Sequence, residues 1–465
     1  MTIDDTSESF MEVRVLAATG VLGAGFKVDS LRRGVELNPS FIACDAGSTD
    51  SGPAYLGSGK PKLSRDACKR DLRLLLRARD TLKVPLIIGS CGTSGRDEGV
   101  DWVADMAREI AAEEHIHFRT ALIKSDQSAA YLKMRLEQGR IRPLHPAPVL
   151  TKAVIESSHV VGMMGAEPIA AAIAEGAVVV LAGRASDPAL FAAIPLMHGA
   201  PPGLVWHAAK TLECGAVCAV VPAADGMFAV IRDDHFDIEP LDLAARCTPQ
   251  SIAAHMLYEN ADPFLLTEPS GVINTQYADY VANSERSVRV SGSRFTAAEE
   301  YTIKLEGAQL VGHQTAVIGG IRDPHIIRSL DTLLPKAKAY FDVRIADLFP
   351  GQLSSGDYDI SYRIYGRDAV MGRLEPMRQS PVAYEVGVLI TITAPSQDLA
   401  NKIATLVSHV SAHLPVPEYQ GLISSIAYPF SPPELPRGPV YRFSLNHVVI
   451  PDDPCEMFRT EIVEI

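Results

Sequence analysis

The chain has no apolar run long enough to cross a bilayer. A spanning helix requires about 18 uninterrupted apolar residues, and the most apolar stretch, Met163 to Gly183, is broken by Glu167, Pro168 and Glu175; no membrane partner is expected. It has no concentrated basic stripe either. Its 43 lysines and arginines stand against 56 aspartates and glutamates, a formal charge of -13, which opposes phosphate backbones and excludes nucleic acid as an expected partner. The seven cysteines, an odd number scattered over 465 residues, describe no disulfide framework. HExxH and Cys-x-x-Cys are missing, Cys214 and Cys218 lack a second pair, and His115 and His117 fall on opposite sides of any strand. A hard cation on Asp45 or Asp50 is chemically open, but the metal stays unknown and no cofactor is predicted. No Walker loop occurs, and GVLGAG at 20–25 is no secure dinucleotide fingerprint. The start, MTIDDTSESF, lacks the basic and apolar segments of a secretion signal. A reduced cytoplasm is the expected location.

What is present is the composition of a globular protein, 47% hydrophobic and 21% charged, long enough for two or three domains. From Glu12 to about Gly199 one unit repeats: a short β-rich run, a Gly- or Asp-containing break, then helical spacing. The runs are Val13 to Ala18, Phe41 to Cys44, Pro85 to Gly89, Phe118 to Ile123, His159 to Met164 and Ala177 to Ala182. Between them, Val28, Leu31 and Val35 share one helical face. Ser64 caps a helix carrying Leu72, Leu75, Leu76 and Arg79, and Val100, Val103, Met106 and Ile110 follow Asp97. Strands alternating with helices imply parallel pairing, and runs apolar on both sides imply strands covered on both faces. The expected fold class is α/β: a Rossmann-like parallel sheet with helices on both faces over 1–203, an α+β extension over 204–340, and a small ferredoxin-like domain over 341–465.

That last domain is read from Tyr358 to Tyr365, Val386 to Ala394, a helix from Ser396 to His413 with a Leu399, Ile403, Leu406, Val410, Leu414 stripe, and a run from Leu422 to Tyr428. Phe341 to Gly356 reads as a connection. The Pro-rich SPPELPRGP leads to a final strand, Val440 to Val449.

In open parallel sheets ligands bind beyond the carboxyl ends of the strands. Each expected strand exit carries polar chemistry: Gly20; Asp45, Ser48, Thr49 and Asp50; Ser90, Cys91, Gly92, Thr93 and Ser94; Glu167; Arg184 and Asp187. Asp45 and Asp50 are the candidate acid and base, since paired carboxyls divide those roles when their surroundings separate their pKa values. The 90–94 segment offers N–H groups and hydroxyls for an anionic end, and Arg184 offers a two-pronged clamp. Cys91, at a helix start, is a candidate thiolate; as alternatives it fills a turn, Asp50 closes an Asx-turn, and Arg184 pairs with Asp187. Farther on, Glu213 and Cys214, Glu259, Asp262 and Glu268, and Lys304 with Glu306 form further polar clusters, the last pair reading as a solvated strand face.

Several stretches together resemble the acyclic terpene utilisation protein A family: ACDAGSTDSGPAYLGSG, SRDACKRDL, GSCGTSG, AGRASDPALF, LECGA, LYENADPFLLTEPSG and KLEGA, with SPPELPRGPVYRFSLNHVV resembling its accompanying ferredoxin-fold domain. The resemblance covers most of 12–325. It implies a role in catabolism of branched acids handled as CoA thioesters, a lyase-like step being one proposal for the family, and assigns no catalytic residue.

Three readings follow. The first is a lyase or hydratase acting on a small or branched hydroxy or unsaturated carboxylic acid or its CoA thioester, with Asp45 or Asp50 moving a proton. In the second, Cys91 performs thiol-dependent isomerisation, racemisation or acyl transfer. The third is a non-catalytic accessory or ligand-binding subunit. A homo-oligomer is expected, the C-terminal module serving as lid or assembly element.

Overall fold

A computed structural model describes residues 12–377, 383–414 and 425–465. The MTIDDTSESF segment lies outside them. Its contacts divide the chain into two compact units, 1–309 with 443–465, and 310–442.

The first unit is built on a sheet of ten strands among the described residues. Five of them, Val13–Ala17, Phe41–Asp45, Leu86–Gly89, Val179–Ala182 and Arg119–Lys124, lie side by side in that order and are all parallel. The expected parallel core is therefore present. Numbered along the chain its order is 1-2-3-5-4, without the reversal beside the first strand that marks the 3-2-1-4-5-6 winding. Alternate residues enter opposite cores: Val15, Phe41, Ala43, Ile87 and Val180 on one face, Leu16, Ile42, Ile88 and Leu181 on the other, as the two-residue strand period dictates.

Helices cover both faces. Arg65–Leu82 starts at Ser64, whose hydroxyl accepts the Ala67 N–H, and buries Leu72, Leu75 and Leu76 beside Val100, Val103 and Met106 of Asp97–Glu114. Each fully buried leucine is worth about 1.5–3 kcal/mol. Ala189–Met197 and Pro202–Leu212 pack on the opposite face with Phe191 and Trp206.

One expected member is elsewhere. The 159–164 run is a strand, Ser158–Met163, but it pairs antiparallel with the first residues of Ile303–Ile321; a short apolar run carries no information about its partner. The parallel core is extended antiparallel by Met227–Ile231, His235–Pro240, Val288–Ser291 and Asp279–Ala282, and on its other edge by Arg459–Glu464.

The second unit reads β-α-β-β-α-β. It takes the end of Ile303–Ile321, helix Pro324–Leu348, strands Asp359–Tyr365 and Val386–Ala394, helix Gln397–Ser411 and the start of Glu434–Val449. The expected connection from Phe341 is instead the last part of the first helix, with Phe341 and Ile345 buried. The second helix turns Ala400, Ile403, Ala404 and Val407 inward and leaves Leu399, Leu406, Val410 and Leu414 half-buried, a face rotated from the expected stripe. Part of the Pro-rich segment joins the final strand, which begins at Glu434. Of the run expected at Leu422 to Tyr428, 422–424 lie outside the described residues and Ala427 makes one bridge to Gly320. Among the described residues no helix is long and apolar enough to cross a membrane.

Candidate functional site

Beyond the carboxyl ends of four parallel strands lies a cleft of about 320 Å³. Two glycines let its walls close. A Cβ on Gly47 (φ +142°) would lie 2.5 Å from the Thr93 Cα, and one on Gly20 would lie 2.6 Å from the Cys214 carbonyl oxygen. The loop after the first strand is held from below, where Asp71 Oδ2 accepts the N–H groups of Gly23 and Gly25 at 2.9 and 3.0 Å. Leu22 N–H donates to the Asp45 carbonyl, which ties that loop to the second strand.

Of the expected residues, Gly20, Asp45, Ser48, Asp50, Thr93 and Asp187 line this cleft. Thr49, Ser90, Cys91, Gly92, Ser94, Glu167 and Arg184 do not. Their roles are visible in their contacts. Ser94 donates to the Tyr55 carbonyl, Glu167 accepts from the Tyr301 hydroxyl at 2.6 Å, and Gly92 packs on Gly99. Thr49 is buried, its carbonyl closing a turn to Gly52. The Arg184 guanidinium is buried and saturated: Nε donates to Glu306 at 2.7 Å, and Nη1 to Asp187 at 3.0 Å, Ser90 Oγ at 3.2 Å and the Ala185 carbonyl at 2.7 Å. It holds Asp187 rather than a ligand. Lys304 completes the group 3.1 Å from Glu306, so the supposed solvated strand face is half of a buried network.

Cys91 requires a correction. The thiol is fully buried against the Ile88 carbonyl, and burial, then Asp45, push its pKa up. A helix start lowers a thiol pKa only where the thiolate remains solvated or paired, and Cys91 has neither.

Asp45 ends its strand inside the cleft wall, 4% exposed. Its Oδ2 accepts the Gly47 N–H at 3.0 Å, while Oδ1 has no partner. Burial and the neighbouring Asp187 carboxylate hold its pKa well above the usual carboxylate range. Asp187 is raised by burial too, against the pull of Arg184. Both carboxyls are thus displaced toward the protonated form, and only Asp187 has a cation bonded to it. Asp50 sits at the rim, where Ser48 Oγ donates to its Oδ2 at 2.8 Å and accepts its N–H, and its charge adds to the upward push on Asp187.

The lining also includes residues that the strand-exit rule does not reach: Lys62, Glu213, Cys214, Val217, Tyr258 and Glu259. Glu213 is raised to about 8 by burial despite its ion pair with Lys210, and its Oε2 has no partner. Deeper, Glu268 is raised to about 7 by burial, although Ser186 donates to it at 2.6 Å. Burial and Glu213 push the Cys214 thiol up. Lys62 and Tyr258 carry no local signal that separates them from surface residues; Glu213 and Cys214 do, as an acid–thiol pair directly after a helix. Among the described residues no three His, Cys, Asp or Glu side chains converge to hold a metal ion.

No curated protein and no solved structure matches the chain. Residues 88–200, running from the third parallel strand through the Arg184–Asp187 turn, match the family model described as acyclic terpene utilisation family protein AtuA. Over that span the chain is similar to this family.

Proposed function

We propose that the cleft is the active site of a cytoplasmic catabolic lyase or hydratase of the acyclic terpene utilisation kind. It adds water to, or removes it from, a small or branched acyl group presented as a hydroxy or unsaturated acid or its CoA thioester. The observation that carries this reading is Asp45: a buried carboxyl with one unpartnered oxygen and a raised pKa, in a cleft that also holds Asp187, the carboxyl paired with Arg184. Such a pair suits elimination. Asp187 takes the proton from the carbon next to the carbonyl, Asp45 gives its proton to the departing hydroxyl, and water leaves. The pair ends with the proton moved from Asp45 to Asp187, and exchange within the coupled pair restores it. Arg184 acts as a positioning residue on Asp187, and Lys62 is the lining cation available to an anionic substituent.

The parallel strands covered on both faces support a Rossmann-like description of the core, and the β-α-β-β-α-β order of the second unit supports a ferredoxin-like one. The seven unpaired cysteines support a reducing compartment. The test is Asp45→Asn, assayed against the hydroxyacyl or enoyl compound that the wild-type protein consumes from a metabolite panel. Turnover falls at least about a hundredfold with thermal unfolding still cooperative; a folded variant with full activity removes Asp45 from the chemistry.

A further inference from the structure

A second depression of about 450 Å³ adjoins the cleft, and Val217 and Tyr258 belong to both walls. The two differ in character. Six ionisable side chains line the cleft: Asp45, Asp50, Lys62, Asp187, Glu213 and Glu259. The neighbour has no Asp, Glu, Lys or Arg in its lining, which includes Thr248, Gln250, Ser251 and His255 with Val217 and Val220.

His255 is 5% exposed and its Nε2 has no partner. Burial, then Lys210, lower its pKa to about 4, so the ring is neutral, with one donor and one acceptor nitrogen. Its hydrogen bond to the Lys210 backbone favours the protonated ring and so is a donation to the carbonyl. Nε2 is left as an acceptor lacking a donor, a cost that a ligand N–H or O–H would relieve. The ring stacks on Tyr258 at 5.5 Å and 13°, which carries the depression's wall into the cleft.

We propose that this depression binds the remote part of the substrate, an uncharged amphipathic arm bearing hydrogen-bond donors such as amide N–H groups, joined to the group that reacts in the cleft. The inference rests on the cleft being the active site, since the arm is defined by what it is attached to. Pockets for whole small ligands occupy about 300–1,000 Å³, so the cleft alone accommodates a small acid. Two adjoining spaces, one lined by acids and a lysine and one without Asp, Glu, Lys or Arg, suit a two-part molecule.

The test uses two unreactive probes with the full-length protein: S-methyl thiobutyrate, which has no arm, and the N-acetylcysteamine thioester of butyrate, which has an uncharged amide arm. By titration calorimetry the armed probe binds at least tenfold more tightly. Val220→Trp, at a rim position 42% exposed, fills the depression and erases that advantage while leaving the S-methyl probe unchanged. His255→Phe keeps the stack on Tyr258, removes Nε2 and reduces the advantage severalfold. Equal affinity of the two probes, no measurable binding of the armed one, or an advantage that survives Val220→Trp overturns the inference. Failure of the active-site reading registers separately, as turnover retained in Asp45→Asn.

Discussion

The two units spend their interiors differently. In 310–442 the core is Val317, Ile327, Leu330, Phe341, Ile390 and Ile403 with their neighbours, and the buried polar side chains among the described residues are the hydroxyls of Thr315, Ser408 and Ser411. In the other unit Asp45, Asp71, Arg184, Lys210, Glu213, Glu268 and Glu306 are all buried. A buried charge is costly unless paired, and replacing such pairs by apolar residues is often neutral or stabilising. Stability alone does not explain why one unit keeps this concentration of charge. The presence of Asp45 and Glu213 in the cleft wall does, because carboxyls with displaced pKa values are what acid–base chemistry uses.

The largest expected effect that would break this contrast is Glu306→Ala. It leaves Arg184 buried with half its ion pairing gone, and unfolding in urea shows a loss of about 3–5 kcal/mol. A loss below about 1 kcal/mol would mean the network is effectively solvated. Phe341→Ala, in the apolar unit, costs a similar amount, about 3–5 kcal/mol, but equally at pH 5 and pH 8, because nothing that titrates changes; a pH-dependent cost would blur the distinction.

Glu268→Gln sharpens it. The folded carboxyl is raised to about 7 from an ordinary 4.5, so the stability linked to its protonated form is complete below 4.5 and lost as pH rises through 7. Glutamine stays neutral and still accepts from Ser186. The variant therefore matches wild type at pH 4.5 and exceeds it by about 1–3 kcal/mol at pH 8 in chemical denaturation. The smallest effect is Cys91→Ala, about 1 kcal/mol of lost packing with turnover unchanged; abolished activity would return the thiol to the mechanism.

Much of the core was legible because its signals are local. Ser64 caps its helix, Leu72, Leu75 and Leu76 fall on one face, and five apolar runs pair in parallel as strand–helix alternation requires. Where the rhythm loosens after Gly203, the sheet continues antiparallel. The helix carrying Phe341 was hidden by Pro335 inside it, and Arg459–Glu464 by its charged, alternating composition. In the cleft, Asp45 and Asp187 were legible as strand-exit carboxylates. Lys62 and Tyr258 were not, because nothing within a few residues of either marks its environment.

The sequence by itself determined the parallel layer, its helical covering and the rim where polar side chains gather, since strand period, helix period and capping all act over a handful of residues. Tertiary structure alone decided which of those groups are buried, paired or left without a partner. It buried Cys91, saturated Arg184, left Asp45 Oδ1 without a partner and brought Glu213 into the same cleft. Desolvation and pairing set whether a group holds a proton, and both depend on neighbours distant in the chain.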